Sequence, residues 1–143
     1  IRNFTEYIDD YDNGGQKANF YQKTTIAFSP GMVANASLNF FPFKGAELNL
    51  VSKYVSRQFL DNTTKKERSL HPYYTQDIKL TYSFSKIKIK ELKLFLNAIN
   101  IFSKLYEPNG YTFSYFYDGV QTTENYYFPM APVNFTGGIN IKL

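Results

Sequence analysis

Residues 73–84, YYTQDIKLTYSF, place Tyr74, Ile78, Leu80, Tyr82 and Phe84 at even positions and Thr75, Asp77, Lys79, Thr81 and Ser83 at odd ones. Successive side chains of a strand point to opposite faces, so this period of two predicts a strand with one apolar and one polar side. Neighbouring stretches repeat it. Residues 31–41 set Met32, Ala34, Ala36, Leu38 and Phe40 against Asn35, Ser37 and Asn39, and residues 46–58 set Ala46, Leu48, Leu50 and Tyr54 against Glu47, Asn49, Lys53 and Arg57. Pro42 and Gly45 lie between them and predict a tight turn, hence a hairpin. Residues 91–98 oppose Leu92, Leu94, Leu96 and Ala98 to Glu91, Lys93 and Asn97, with Phe95 the exception. A closing strand over about 127–143 opposes Val133, Phe135, Ile139, Ile141 and Leu143 to Asn134, Thr136, Asn140 and Lys142.

Composition agrees with an all-β chain. Aromatic residues make up 19% of 143 residues, with 13 Tyr, 14 Phe and no Trp, and flat or β-branched side chains suit a pleated surface. The net charge of +4 comes from scattered Lys and Arg, which gives no basic stripe of the kind nucleic acid requires. Without cysteine there is no disulfide framework and no thiolate metal site. The longest apolar runs, such as LFLNAI, fall short of the roughly 20 residues of a membrane helix. Ile1 is not Met, and no basic stretch followed by an apolar run marks a secretion signal, so the sequence reads as a mature chain or a piece of one.

Alternation alone does not decide which face meets water, since a soluble sandwich also alternates. Three features favour a bilayer. The patterned stretches run to a dozen residues, whereas soluble strands cluster at about 5 or 6 and a membrane-crossing strand takes roughly 9 to 11. Connections alternate between short turns at 42–45 and near 85–89 and long loops at about 60–72 and 101–125, as in outer-membrane barrels. Residues 5 to about 28 read as a further excursion on the long-loop side, leading through Ser29 and Pro30 into the strand at 31. Aromatics bunch at strand ends, at Phe40, Phe41 and Phe43, at Tyr73 and Tyr74, and at Tyr126, Tyr127 and Phe128, where interfacial girdles belong. The pattern therefore predicts an antiparallel transmembrane β-barrel segment of five or six strands. Ile78, Leu80, Tyr82, Leu92, Leu94, Leu96, Phe135, Ile139, Ile141 and Leu143 face lipid.

No catalytic constellation can be assembled. The single His71 stands before Pro72 in a loop, and neither a phosphate-binding glycine loop nor a nucleophile elbow occurs. Asp10 and Asp12 have the spacing of the first two ligands of a calcium loop, but Gly14 and Tyr21 stand where further ligands belong, so a solvated turn is expected. No metal and no cofactor is expected, and the chain reads as a non-enzyme. The run KKER, 65–68, reads as a loop tip, with contact to anionic headgroups or lipopolysaccharide as its functional alternative. The sequons at Asn3, Asn35, Asn62 and Asn134 are accounted for by chance in an Asn- and Thr-rich chain.

SKYVSRQFLDNT (52–63), FLNAINIFSKLYEPNGYTFSYFY (95–117) and ENYYFPMAPVNFTGGINIKL (124–143) closely resemble the C-terminal end of outer-membrane TonB-dependent receptors of the Bacteroidetes type. The resemblance spans nearly the whole chain. It implies the last strands of a barrel of about 22 strands around a plug, with residues 1–143 forming the C-terminal part of the barrel domain and the plug lying outside this chain. It also implies a location in the bacterial outer membrane and uptake of a nutrient complex, an iron chelate ahead of a glycan or cobalamin. The implied partners are outer-membrane lipid and lipopolysaccharide, the rest of the barrel with its plug, and the TonB complex engaged through the N-terminal part. Leu143 stands where such receptors usually end in an aromatic residue. Loop tyrosines Tyr106, Tyr111, Tyr115 and Tyr117 are candidate ligand contacts, packing against neighbouring loops being their alternative role. The alternatives to a transporter are a passive pore or assembly scaffold of the same fold, and a secreted carbohydrate-binding β-sandwich.

Overall fold

The computed structural model describes residues 2–86 and 89–142, and all of their regular structure is strand. In chain order the strands are β1 (Arg2–Asp10), β2 (Gln16–Thr24), β3 (Val33–Phe40), β4 (Ala46–Val55), β5 (Gln58–Phe59), β6 (Ser69–Leu70), β7 (Tyr73–Lys86), β8 (Ile89–Ile99), β9 (Asn109–Tyr117), β10 (Val120–Phe128) and β11 (Asn134–Lys142). They form two compact units. One comprises Ile1–Met32, Ser56–Pro72 and Tyr106–Met130, and the other Val33–Val55, Tyr73–Leu105 and Ala131–Leu143.

The second unit is a five-stranded sheet in the order β11-β8-β7-β4-β3. Every pairing is antiparallel, so the sheet is a meander, and it does not close on itself. Its register lines the apolar positions up in rows. Leu38, Leu50, Ile78, Ala98 and Phe135 form one row, and Phe40, Leu48, Leu80, Leu96 and Gly137 the next. Ala46, Tyr82, Leu94 and Ile139 follow, then Phe84, Leu92 and Ile141. Ile78, Leu80, Tyr82, Leu92, Leu94, Leu96, Phe135, Ile139 and Ile141 share this face; Met32 and Val133, expected on it, precede β3 and β11, and Leu143 lies outside the described residues. The opposite face carries rows such as Asn39, Asn49, Lys79, Asn97 and Thr136, with Asn49 Nδ2 donating to Ser37 Oγ at 2.8 Å and also to Asn39 Oδ1.

Within this unit, no described residue forms a layer over the apolar face. Leu80 is 47% exposed, Leu96 48% and Ile139 67%, and among the described residues the buried apolar side chains are Ile8, Val55, Leu60, Leu70 and Tyr73. A chain that is 43% apolar has thus placed little of that surface in a core. At the end of the sheet where Val33, Val55 and Tyr73 stand in register, β3 begins, β4 gives way to residues 56–72 and β8 gives way to residues leading to β9. All three excursions from the meander leave from that end, as expected. The turn at 42–45 lies at the other, where Ala46 N donates to the Phe43 carbonyl at 3.0 Å and Gly45 adopts φ +86°. Residues 87 and 88, within the second expected turn, lie outside the described residues.

Several boundaries differ from the sequence reading. The strand expected over 46–58 ends at Val55: Ser56 still exchanges two 3.0 Å hydrogen bonds with Met32, but on the β7 side the residue next to Tyr73 is Pro72, which has no N–H to extend the ladder. The closing strand begins at Asn134 and not near 127, since Tyr126, Tyr127 and Phe128 pair with 109–111 in β10 and Pro129 and Pro132 lack the N–H a ladder needs. The loop expected over 101–125 holds a nine-pair hairpin. Phe95, the apolar residue on the polar face, stands opposite Gly138. A Cβ at Gly138 would lie 2.6 Å from Phe95 Cζ, so the ring covers the bare backbone of its neighbour, a recurrent pairing in sheets.

Gly138→Val should therefore destabilise the sheet by about 1–3 kcal/mol through overpacking, and Phe95→Ala in the same chain should recover part of that loss. Denaturant unfolding of the two single variants and the double variant checks it. Additivity within about 0.5 kcal/mol would show that the ring does not lie over the glycine.

Candidate functional site

The first unit gathers three segments distant in sequence. Its four-stranded sheet has the order β10-β9-β1-β2, with β5 and β6 forming a separate pair. The β1–β2 hairpin turns through the glycines of DDYDNGG, where Gly14 and Gly15 take φ +73° and +84° that β-carbon-bearing residues resist. Asp118 and Gly119, with φ +52° and +72°, close the two-residue turn of β9–β10, the Asp-Gly signal of a tight hairpin. That dipeptide was legible in the sequence and marks the hairpin that a long-loop reading passes over.

Arg68 holds the segments together. Its side chain is 1% exposed, and its guanidinium donates from Nη1 to Glu6 Oε1 of β1 and to Asp61 Oδ2 at 2.8 Å. From Nη2 it donates to Ser114 Oγ of β9 at 2.7 Å and to Thr123 Oγ1 of β10 at 3.1 Å. The run KKER is thus divided. Lys66 and Glu67 are exposed, whereas Arg68, expected at a solvated loop tip, is interior because four partners stand ready for it. Burial pulls the guanidinium pKa down, but the hydrogen bonds and charges of Asp61 and Glu6 outweigh that and hold it above its ordinary value. Asp61 also accepts from Thr63 N at 2.9 Å, and Glu6 from the Tyr21 hydroxyl at 2.8 Å.

The hairpin tips are tied separately. Asp12 accepts from the backbone N–H groups of Asp118 and Gly119 at 2.7 and 2.8 Å. Asp10 accepts from Asp12 N at 3.1 Å and from Lys17 Nζ at 3.0 Å, and Lys17 also stands 3.9 Å above the Phe116 ring. The Lys17 ammonium, then the Asn13 side chain, hold the Asp10 carboxyl at about 2. The two aspartates that suggested a calcium loop thus serve as turn caps facing different partners.

Alternation divides the β9–β10 hairpin. One face carries Ser114 and Thr123 towards Arg68, and Gly110, whose position leaves room for Leu60. The other carries Tyr111, Phe113, Tyr115 and Tyr117 beside Phe128, Tyr126, Glu124 and Thr122. Tyr111 and Tyr126 stack with centroids 4.9 Å apart and planes at 9°, and Phe113 lies 6.1 Å from Tyr126 at 5°. Of the four loop tyrosines named from sequence, Tyr111, Tyr115 and Tyr117 share this face. Tyr106 precedes the strand, and its carbonyl accepts from Met130 N at 3.0 Å. Glu124, which the sequence reading passed over, receives the Tyr115 hydroxyl at 3.0 Å and that of Tyr126. These hydrogen bonds raise both phenol pKa values. His71 is exposed.

Comparison with protein-family models, curated proteins and solved structures finds no match for this chain.

Replacing Arg68 with Met should cost about 3–5 kcal/mol, because Glu6 and Asp61 lose their buried counter-charge. Limited proteolysis of the native protein should then open residues 2–32, 56–72 and 106–130 together. Cleavage confined to 56–72 would show that Arg68 does not join the segments. A carboxyl whose folded pKa lies below its unfolded value of about 3.9 contributes stability above that pH and loses it as pH falls through about 2. The protection that wild type holds over Asp10→Asn against pepsin nicking of the first hairpin should accordingly shrink on acidification from about pH 4 towards 2. Protection that grows on acidification would contradict the Lys17 pairing.

Proposed function

We propose that this chain is wall and outer loops of an outer-membrane β-barrel transporter of the TonB-dependent receptor kind, taking up a nutrient complex across the membrane. The observation that carries the reading is a five-stranded meander whose apolar face runs from edge to edge without a cover. In a soluble sandwich such a face lies about 10 Å from a second sheet and its side chains are buried, whereas Leu80 and Ile139 are 47% and 67% exposed. Lipid would supply the apolar surroundings that a continuous face of this kind lacks.

Dimensions agree. Tyr74 to Phe84 at about 3.4 Å per residue measures about 34 Å, which a strand tilt of about 40° reduces to about 26 Å, close to the apolar band of such barrels. Towards the excursion end the face turns amphipathic. Ser52 and Gln76 hydrogen-bond to each other, and the Tyr74 hydroxyl donates to Gln76 Oε1 at 2.7 Å, with its ring 6.3 Å from that of Phe102. A ring with a satisfied hydroxyl suits the headgroup level. The polar face, with Glu47, Asn49, Lys79, Thr81 and Lys93, suits a watery lumen or a plug. In this reading the first unit lies on the cell exterior, where ligand is captured. The assignment to TonB-dependent receptors, and with it the TonB complex, the plug and an iron chelate as cargo, rests on the motifs of 52–63, 95–117 and 124–143.

Substitution on the two faces tests the membrane reading. Leu80→Arg and Ile139→Arg should each cost about 2–4 kcal/mol near the bilayer midplane and lower the amount of folded barrel in isolated outer membranes, while Lys79→Ala and Asn140→Ala leave it nearly unchanged. Equal damage from both pairs would sink it. Single cysteines at the exposed positions Lys66 and Asn109 should react with a membrane-impermeant thiol reagent on intact cells, and labelling only after the outer membrane is broken would place the first unit on the wrong side.

A further inference from the structure

The aromatic face of β9–β10 holds a carboxylate that no cation of the described residues pairs with. Glu124 stands opposite Phe113 and accepts from Tyr115 and Tyr126, and no ion pair of the described residues includes it. Elsewhere in the same unit half-buried rings already carry a cation: Lys17 lies 3.9 Å over Phe116, and Lys65 lies 5.4 Å over Tyr21. Among the described residues the Glu124 face has no such lysine. Two phenols donating to one carboxylate also polarise their rings, since a hydrogen bond to an anion pushes electron density back into the donor, and a richer ring face attracts cations more strongly.

We propose that this face binds a small organic cation of the quaternary ammonium kind, seated on the rings of Phe113, Tyr115 and Tyr126 with Glu124 as its counter-charge. The rings remain open to solvent, Phe113 at 46% and Tyr126 at 43% exposure. A hard inorganic cation demands six or more oxygen ligands, and a single carboxylate does not supply them. A methylated ammonium is weakly hydrated, gives up little on leaving water, and presents apolar surface to aromatic rings. The inference stands on the first unit alone, so the fate of the membrane reading does not decide it.

The test uses the native protein in a detergent free of choline headgroups, with choline as probe and 3,3-dimethylbutan-1-ol as its uncharged isostere, followed by calorimetry or saturation-transfer NMR. Choline should bind saturably and the alcohol about tenfold or more weakly, because the two differ only in charge. Glu124→Gln, which keeps the shape, should weaken choline about tenfold without moving the alcohol. Phe113→Leu should weaken it severalfold, and Lys79→Ala, in the other unit, should not change it. Equal affinity for the two probes would show a merely apolar seat and overturn the proposal. So would unchanged choline binding by Glu124→Gln, or no saturable binding at all, the result expected if another segment of the native polypeptide already covers the rings.

Discussion

An apolar face without a covering layer is the constraint on which the rest of this structure depends. Side chains alternate with a period of two, so a slip of one residue between any two strands would move a whole apolar set to the polar side. The rows from Leu38 to Phe135 and from Phe40 to Gly137 tie five strands to a single register. Burying a leucine or phenylalanine is worth roughly 1.5–3 kcal/mol, and here that gain is withheld until the face meets something apolar. The stability of the sheet therefore resides largely in its surroundings. The same alternation governs the connections, because a meander that reverses at every strand sends every second connection to the same end.

The first unit is organised on a different principle. Ile8, Leu60 and Leu70 are the buried apolar side chains described in the first unit, too few to define a unique packing of three chain segments. Arg68 supplies the definition. A planar guanidinium has fixed donor directions, and here Nη1 meets a carboxylate from each of two segments and Nη2 two hydroxyls from the third, while Nε is buried without a partner. Such a buried ionic centre adds little net stability over an apolar one of the same volume, while removing one partner is costly. It acts as a register pin, permitting one arrangement of the hairpins and penalising the rest.

The five-stranded sheet was legible in the sequence because its signal is local and repeated. Tyr74 to Phe84, Leu92 to Ala98 and Phe135 to Ile141 each declare their face without reference to the others, whereas the exception, Phe95, has its cause across the sheet, in the bare backbone of Gly138. The excursions were legible only in place. That 101–125 forms a hairpin was signalled by Asp118-Gly119, but the aromatic alternation around it resembles a strand extension as much as a loop. Arg68 could not be read at all. Its partners lie 62, 7, 46 and 55 residues away, and a lone arginine in KKER looks like any solvated charge until those partners converge.

The antiparallel order of the five-stranded sheet has an arithmetical consequence. Four reversals separate β3 from β11, so the two edge strands point the same way, both leading away from the excursions. An antiparallel neighbour added to either free edge must point the opposite way. Any set of strands that joins the two edges by continuing the alternation must therefore begin and end in that opposite direction, which requires an odd number of them. Added to the five present, an odd number would make an even ring, and an even ring alone would let every strand keep an antiparallel partner on both sides.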